Sequence, residues 1–187
     1  MVYLPPAFTE ARPAVLVAHI EHHDFGLLVS HGPAGLIASH IPFLVEYQGE
    51  ELHLLGHLAR PNPQVADLSH GEEVLTIFSG PHAYGTVRLV EDDDWLRRLL
   101  LRLSDRHETG SAAPWRMQEL PEPYLGGMLK GIIGFDIAVT RMEGKYKLSQ
   151  NRPAVDRPRI VAALEAHGDA DAVAIAGLMR ERERNSD

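Results

Sequence analysis

The chain has 187 residues, of which 44% are hydrophobic and 24% are charged, and its formal net charge at pH 7 is −8. This composition is typical of a globular protein with a substantial core, and the absence of cysteine excludes disulfides and thiol catalysis. No apolar run approaches the roughly 20 residues that span a bilayer, and no signal peptide is recognisable. We therefore expect a cytoplasmic protein that does not enter membranes.

The charge distribution bears on nucleic-acid binding. An acidic chain must concentrate Lys and Arg on one face to neutralise DNA phosphates. Four arginines fall in one predicted helix, and three near the C-terminus alternate with glutamates, a pattern typical of a salt-bridged solvated helix. No helix-turn-helix pattern is present, so direct DNA binding is disfavoured. The arginines are Arg97, Arg98, Arg102, Arg106, Arg180, Arg182 and Arg184.

The first half of the chain predicts a short helix followed by a series of strands. The helix covers residues 14–22. Short strands at near-regular spacing, separated by Gly- and Pro-containing turns, favour an antiparallel barrel. Strands are predicted over 25–31, 36–47, 51–58, 73–78 and 86–90.

The second half predicts more helices around one further strand. The sequence Asp92-Asp93-Asp94 starts a helix that extends to about residue 107, with an acidic beginning and an arginine-rich end that complement the helix dipole. Its apolar stripe indicates packing against the barrel. Gly144 is expected to turn the chain after the strand. The other elements are helices over 121–130, 159–167 and 169–184, and a strand over 135–139.

Common catalytic and metal-binding patterns are missing. His53 and His57 lie four apart on a predicted strand, which separates them by about 13 Å, too far for one metal ion. There is no zinc-binding spacing, no Gly-x-Ser-x-Gly elbow and no phosphate-binding glycine loop. The sequence predicts no metal site, and it contains no recognisable pair of catalytic carboxylates.

Residues 145–152 form a basic segment that could bind an anion. If this segment is extended, Lys145, Lys147 and Ser149 point one way, and Tyr146 and Leu148 point into a core. Two ammonium groups beside a hydroxyl suit a phosphate, and Arg152 could add a bidentate donor. The alternative is a solvated strand that ends in a turn.

Two earlier segments could complete such a site. The sequence from Gly56 to Pro63 ends a strand with Gly-His and places Arg60 and Asn62 in a turn imposed by two prolines. In the segment Ser39–Phe43, Pro42 indicates an edge strand or a bulge. On adjacent strands His40 and His57 could meet across the sheet, although a pair of structural barrel histidines explains them equally well.

These segments together resemble one family. The sequences Tyr3-Leu4-Pro5-Pro6-Ala7-Phe8, Ser39-His40-Ile41-Pro42, Gly56-His57-Leu58-Ala59-Arg60 and Lys147-Leu148-Ser149-Gln150-Asn151-Arg152 are similar to those of PaiB-type proteins. These are FMN-binding negative transcriptional regulators of bacteria. The resemblance implies a mixed, mainly β fold (α+β): an antiparallel split barrel of the flavin-reductase and pyridoxamine-phosphate-oxidase kind. It also implies a homodimer with FMN at the subunit interface.

The resemblance further implies a domain division and a set of FMN-binding residues. The barrel would cover residues 1–152, and residues 153–187 would form a helical extension packed on it. Basic groups would neutralise the phosphate, while the segment around Pro42 would contact the ring system. The implied FMN-binding residues are His40, Ile41, Pro42, Phe43, His57, Arg60, Asn62, Lys147, Ser149, Gln150 and Arg152.

The chain departs from the family pattern in two places. Relatives read Ala-Asn-Pro-Gln-Trp after the turn arginine, whereas this chain reads Pro61-Asn62-Pro63-Gln64-Val65. Relatives also carry an aromatic insert where this chain passes directly from Tyr84 to Gly85.

Three functions therefore remain open. They are an FMN-binding regulator, a flavin-dependent oxidoreductase acting on a small molecule, and a barrel without flavin that serves as an interaction module. Haem binding, known among split-barrel proteins, is a weaker alternative to FMN.

Overall fold

The structure is a computed structural model that describes residues 4–68, 72–79 and 81–184. The chain divides into two compact units, a larger one of residues 11–144 and a smaller one of residues 1–10 and 145–187. Tyr3, the first residue of the recognised segments, lies outside the described residues. The predicted boundary at residue 152, and the packing of the C-terminal helices on the barrel, stay predictions.

Strands and helices alternate irregularly along the chain, and two short 3-10 helices (Pro6–Phe8 and Met117–Glu119) accompany them. In chain order the elements are β1 (Thr9–Glu10), α1 (Pro13–His22), β2 (Phe25–Gly32), β3 (Gly35–Pro42), β4 (Leu44–Gln48), β5 (Glu51–Ala59), α2 (Gln64–Leu68), β6 (Glu73–Ile77), β7 (Pro81–Val90), α3 (Asp93–Glu108), α4 (Glu122–Lys130), β8 (Ile132–Lys145), α5 (Arg157–His167) and α6 (Ala170–Arg184).

The larger unit is built on one antiparallel sheet. Its strands follow the order β3-β2-β6-β7-β8-β5-β4, and each neighbouring pair is antiparallel. The β8 strand lies between β7 and β5, so it joins two groups of strands that are distant in sequence. The predicted mixed fold with an antiparallel sheet is confirmed.

Side chains on the two faces of the sheet belong to different clusters. On one face, Leu54 and Leu58 of β5 pack into a core with Phe43, Phe78 and other apolar side chains. On the other face, Leu55 packs against Leu99 and Leu103 of α3. This separation follows from the two-residue period of a strand, and it confirms that the apolar stripe of α3 packs against the sheet.

Several predicted strand ends and one predicted turn differ from the structure. The strand predicted over 36–47 is interrupted at Phe43, whose backbone N–H donates to the carbonyl of Asp24 rather than to the sheet. Pro42 ends β3, which is terminal in the strand order, as expected for a proline that cannot donate to a ladder. The β7 strand begins at Pro81 rather than at residue 86. The turn predicted at Gly144 is wrong, because Gly144 lies within β8 and pairs with Pro81.

The smaller unit has its own apolar core. Leu148, Val161, Ala176 and Met179 form its buried centre, with Tyr146 packed against them. The predicted inward orientation of Leu148 and Tyr146 is therefore confirmed. The extended strand predicted for residues 145–152 is wrong, because β8 ends at Lys145 and the following residues form an irregular loop.

Gly56 of β5 pairs with Phe135 of β8. A Cβ atom on Gly56 would lie within 3.0 Å of three ring atoms of the buried Phe135. We expect Gly56→Ala to lower the free energy of unfolding by about 1–3 kcal/mol through overpacking, measured by urea denaturation. Gly126→Ala, in α4 with nothing within 4 Å, is the control and should be neutral or stabilise by up to about 1 kcal/mol. Equal stability of both variants would contradict this packing argument.

Candidate functional site

The turn after β5 holds two of the residues implied in phosphate binding. The Asn62 N–H donates to the carbonyl of Ala59, and its side-chain Oδ1 accepts from the Gln64 N–H, which starts α2. The Asn62 Nδ2 donates to the Ser39 Oγ at 3.1 Å, so the turn is tied to β3. Arg60 is exposed, with its guanidinium 3.7 Å from the exposed carboxylate of Glu91. Such an exposed ion pair contributes little and leaves the guanidinium available to an anion.

The buried side chain of Gln64 connects this turn to β2 and β3. Its side chain is completely buried, and Nε2 lies 3.0 Å from the carbonyl of Leu28 and 3.2 Å from that of Ile37. The neighbouring Ser30 hydroxyl donates to Asp67 of α2 at 2.9 Å. A buried network of this kind fixes the backbone that carries Arg60, because breaking it would leave polar groups unpaired. The sequence analysis noted Gln64 only as part of a motif and missed this role.

His57 presents a polar atom that needs a partner. It is half-buried on β5, and its Nδ1 has no hydrogen-bond partner among the described residues. Burial lowers the pKa of His57 below its ordinary value of 6.5, so the imidazole is neutral at pH 7. A neutral imidazole whose Nδ1 has no partner within the described residues could form a hydrogen bond with an uncharged or anionic group of a ligand.

The lowered pKa of His57 predicts a pH dependence of stability. The unfolded state binds a proton near pH 6.5 that the folded state resists, so this contribution is complete above pH 6.5 and is lost as the pH falls below it. We expect His57→Gln to lose less stability than the wild type between about pH 7.5 and 5.5, measured by urea denaturation. The exposed His31 gives the control variant His31→Gln; a pH slope unchanged in His57→Gln would disprove the assignment.

The four implied residues at the end of β3 differ in their accessibility. His40 is exposed, and its ring stacks on that of Phe25 at 6.1 Å between centroids. Pro42 is half-buried, whereas Ile41 and Phe43 are buried in the core, and Phe43 packs edge-on against Phe78 and Phe135. The Phe43 ring is therefore part of the core, and His40 and Pro42 are the accessible members of the segment.

His40 and His57 do not lie on paired strands. His40 pairs with Leu27 of β2, and His57 pairs with Gly134 of β8. The prediction that they meet on adjacent strands is wrong, because β4 and β5 form one hairpin and β2 and β3 another.

The four implied residues of the smaller unit share one loop. Ser149 adopts φ 60°, the left-handed region, and its carbonyl accepts from the Arg152 N–H. Lys147 and Arg152 are exposed. The Gln150 side chain closes the loop on itself, since Oε1 accepts from the Leu148 N–H and Nε2 donates to the carbonyl of Tyr146. Gln150 therefore stabilises the loop, while Lys147 and Arg152 keep accessible charges.

A second polar group of the larger unit was missed by the sequence analysis. Asp136, only 2% exposed, lies between two partners: its Oδ1 is 2.6 Å from Nδ1 of the buried His53, and its Oδ2 accepts from Arg88, also at 2.6 Å. His53 had been considered only as a metal ligand. The available signal was a single carboxylate within the otherwise apolar run of residues 132–139.

The β7 strand continues through the position of the missing insert. Its pairing with β8 shifts register between Tyr84 and Gly85, and the Thr140 hydroxyl donates to the carbonyl of Tyr84 at this bulge. The Arg141 guanidinium lies 4.0 Å from the centre of the Tyr84 ring. Burial, and then the carboxylate of Glu143, raise the pKa of Tyr84. The Tyr84–Gly85 junction is therefore a β-bulge at which the Tyr84 carbonyl is hydrogen-bonded.

Within the described residues, no group of three or more His, Asp or Glu side chains is arranged to hold a metal ion. In the same part of the chain, no helix combines the length and apolar character needed to cross a membrane.

Comparison with known proteins identifies the family. The model of the family described as "Putative FMN-binding domain" matches residues 2–84 and 82–141. The two matches meet at residues 82–84, beside the Tyr84–Gly85 junction where the family pattern is interrupted. The chain is 27% identical, over 203 aligned positions, to Protease synthase and sporulation protein PAI 2 of Bacillus subtilis, covering 97% of this chain and 98% of that protein.

Solved structures show the same fold at low sequence identity. The FAD and heme binding protein from Mycobacterium smegmatis is 15% identical, with a TM-score of 0.57, covering 81% of this chain and 78% of that one. A conserved hypothetical protein from Mycobacterium tuberculosis is 14% identical, with a TM-score of 0.56, covering 81% and 94%. The chain belongs to the PaiB-like family of FMN-binding split-barrel proteins.

Proposed function

We propose that this protein is a cytoplasmic homodimer that binds FMN through the end of β5 and its following turn, and that it acts in regulation without binding DNA directly. The observation that carries the FMN site is the buried Nδ1 of His57, which has no hydrogen-bond partner among the described residues, three residues before the exposed Arg60. Bound FMN would supply redox chemistry, and the residues of this chain would bind and orient it.

The chain's own groups divide into roles at this site. Arg60 would pair with the phosphate, because a guanidinium forms strong bidentate contacts with phosphate oxygens. His57 would hydrogen-bond an uncharged part of the flavin, and His40 and Pro42 supply accessible surface at the end of β3. Asn62 would have to give up its bond to Ser39 in order to donate to the cofactor. We therefore assign Asn62 to holding the turn.

The arginines of α3 support an indirect regulatory role. Arg97, Arg102 and Arg106 pair with the carboxylates of Glu122, Glu46 and Asp24. In the smaller unit, Arg180 pairs with Glu165 and Arg182 with Glu10, as the alternating pattern predicted. Cations neutralised by the protein's own carboxylates contribute little to phosphate binding, and the chain as a whole is acidic.

A flavin titration tests this function. The purified protein, with its intact mass confirmed, is titrated with FMN while the flavin absorbance is recorded. We expect the flavin bands to shift and saturate at one FMN per chain, and size-exclusion chromatography with light scattering to show a dimer. Absence of saturable binding at the mass of this chain would mean that the segment missing between Tyr84 and Gly85 is needed for the cofactor. Reduction of the bound FMN by NAD(P)H would favour an oxidoreductase over a regulator.

A further inference from the structure

A cleft lies in the larger unit, between α3 and the face of the sheet opposite the main core. Its volume is about 370 Å³, within the range of small-molecule sites. It is distinct in composition from the FMN site, because it contains none of the residues assigned to FMN above. The lining residues are Glu46, Gln48, Leu55, Arg88, Trp95, Arg98, Leu99 and Arg102.

The helical side of the cleft is one stripe of α3. Trp95, Arg98, Leu99 and Arg102 recur at spacings of three and four residues, which places them on one face of the helix. Arg98 makes no hydrogen bond or ion pair with any residue that the structure describes, whereas Arg102 pairs with Glu46. Arg98 is therefore the arginine of this stripe whose donors are left to a ligand.

The sheet side supplies a third cation that is held in place. Arg88 is 64% exposed, yet one of its terminal nitrogens is bonded at 2.6 Å to the buried Asp136. His53 holds the other oxygen of Asp136, so the carboxylate cannot turn away from Arg88 without losing a buried bond. A guanidinium anchored in this way keeps its remaining donors in a fixed direction and loses less entropy when it binds a ligand.

The charge and polarity of the cleft define its ligand. Arg88 is paired with Asp136 and Arg102 with Glu46, so the excess positive charge of the cleft is that of Arg98, in a chain whose net charge is −8. Leu55, Trp95 and Leu99 add an apolar and aromatic surface. Arginine favours carboxylate and phosphate groups, and an indole favours flat rings.

We propose that this cleft binds a small organic anion, with its carboxylate or phosphate group on Arg98 and the remaining donors of Arg88 and its apolar body against Trp95. The site is separate from the FMN site and does not depend on it. The ligand would be a metabolite-sized acid, because a volume of about 370 Å³ lies at the small end of the range of ligand sites.

Isothermal titration of the full chain with phenyl phosphate tests this site. We expect saturable binding with a Kd of about 1 mM or tighter, and no saturation with phenol, which lacks the charge. Arg98→Gln should weaken binding by about tenfold or more, since it removes a charge-assisted contact. Because Arg98 has no partner among the described residues, this variant should fold normally, which thermal unfolding verifies.

Arg97→Gln is the matched control, because Arg97 neighbours Arg98 in α3 but pairs with Glu122 outside the cleft. Its affinity for phenyl phosphate should equal that of the wild type. Equal weakening in the Arg97 and Arg98 variants, or no saturable binding to the wild type, would overturn the proposal. The titration is repeated on protein saturated with FMN; unchanged affinity supports a separate site, and competition between the two ligands overturns it.

Discussion

Replacing His53 with leucine is expected to lower the free energy of unfolding by about 1.5–3 kcal/mol, because it removes a hydrogen bond to a buried charged group. The variant leaves the carboxylate of Asp136, 2% exposed, with Arg88 as its one remaining partner from this network. Leucine keeps most of the volume of the imidazole, so the loss reports mainly the missing hydrogen bond to that carboxylate. Urea denaturation at pH 7 measures it.

The double variant His53→Leu/Asp136→Leu separates charge from packing. When both partners become apolar the buried charge disappears, so the double variant should be more stable than His53→Leu alone. His167→Leu is the control, because the His167–Asp169 pair is exposed and its loss should change stability by no more than about 0.5 kcal/mol. A double variant less stable than His53→Leu would contradict this explanation. It would show that the loss in His53→Leu does not come from the missing hydrogen bond to the Asp136 carboxylate.

Replacing Arg60 with alanine is expected to weaken FMN binding by about 1.5–3 kcal/mol, the contribution of one charge-assisted hydrogen bond to the phosphate. The Arg60 side chain is exposed, so its removal should leave stability nearly unchanged. Flavin fluorescence during titration of the apo-protein measures the affinity, and rising salt should weaken the wild type more than the variant.

Lys147→Ala, measured in the same way, tests the loop of the smaller unit independently. Arg97→Ala, which removes a partly exposed arginine from an ion pair with Glu122, controls for the change in net charge. Unchanged affinity in Arg60→Ala would remove Arg60 from the site, even if FMN still binds elsewhere.

Most strands and helices could be predicted because their patterns are local. The strand over 51–58 and the capped helix after Asp92 depend on neighbouring residues, and the structure contains both, with the Asp92 carboxylate accepting from the Trp95 N–H. The basic segment was misjudged for the opposite reason. The same alternating pattern fits a loop in which Leu148 is buried and the Gln150 side chain bonds to the backbone of Leu148 and Tyr146. No local rule separates such a loop from an extended strand.

The candidate site was only partly predictable. The turn that holds Arg60 and Asn62 follows from its prolines, but the buried position of Gln64 depends on carbonyls of β2 and β3 more than 25 residues away. The Asp136 network joins residues separated by 83 and 48 positions. Such partners become neighbours only through the strand order, in which β8 lies beside both β5 and β7.

The position of β8 also determines when the sheet can form during synthesis. The β2–β3, β4–β5 and β6–β7 hairpins pair strands that are close in sequence and can form early. The β5 and β7 strands gain their common neighbour only after residues 132–145 have left the ribosome. Pairing over such distances is slow, because loop closure comes before the stabilising contacts. Until then the nascent chain presents two unfinished sheet edges, which makes the interval before β8 arrives the period of greatest exposure to aggregation.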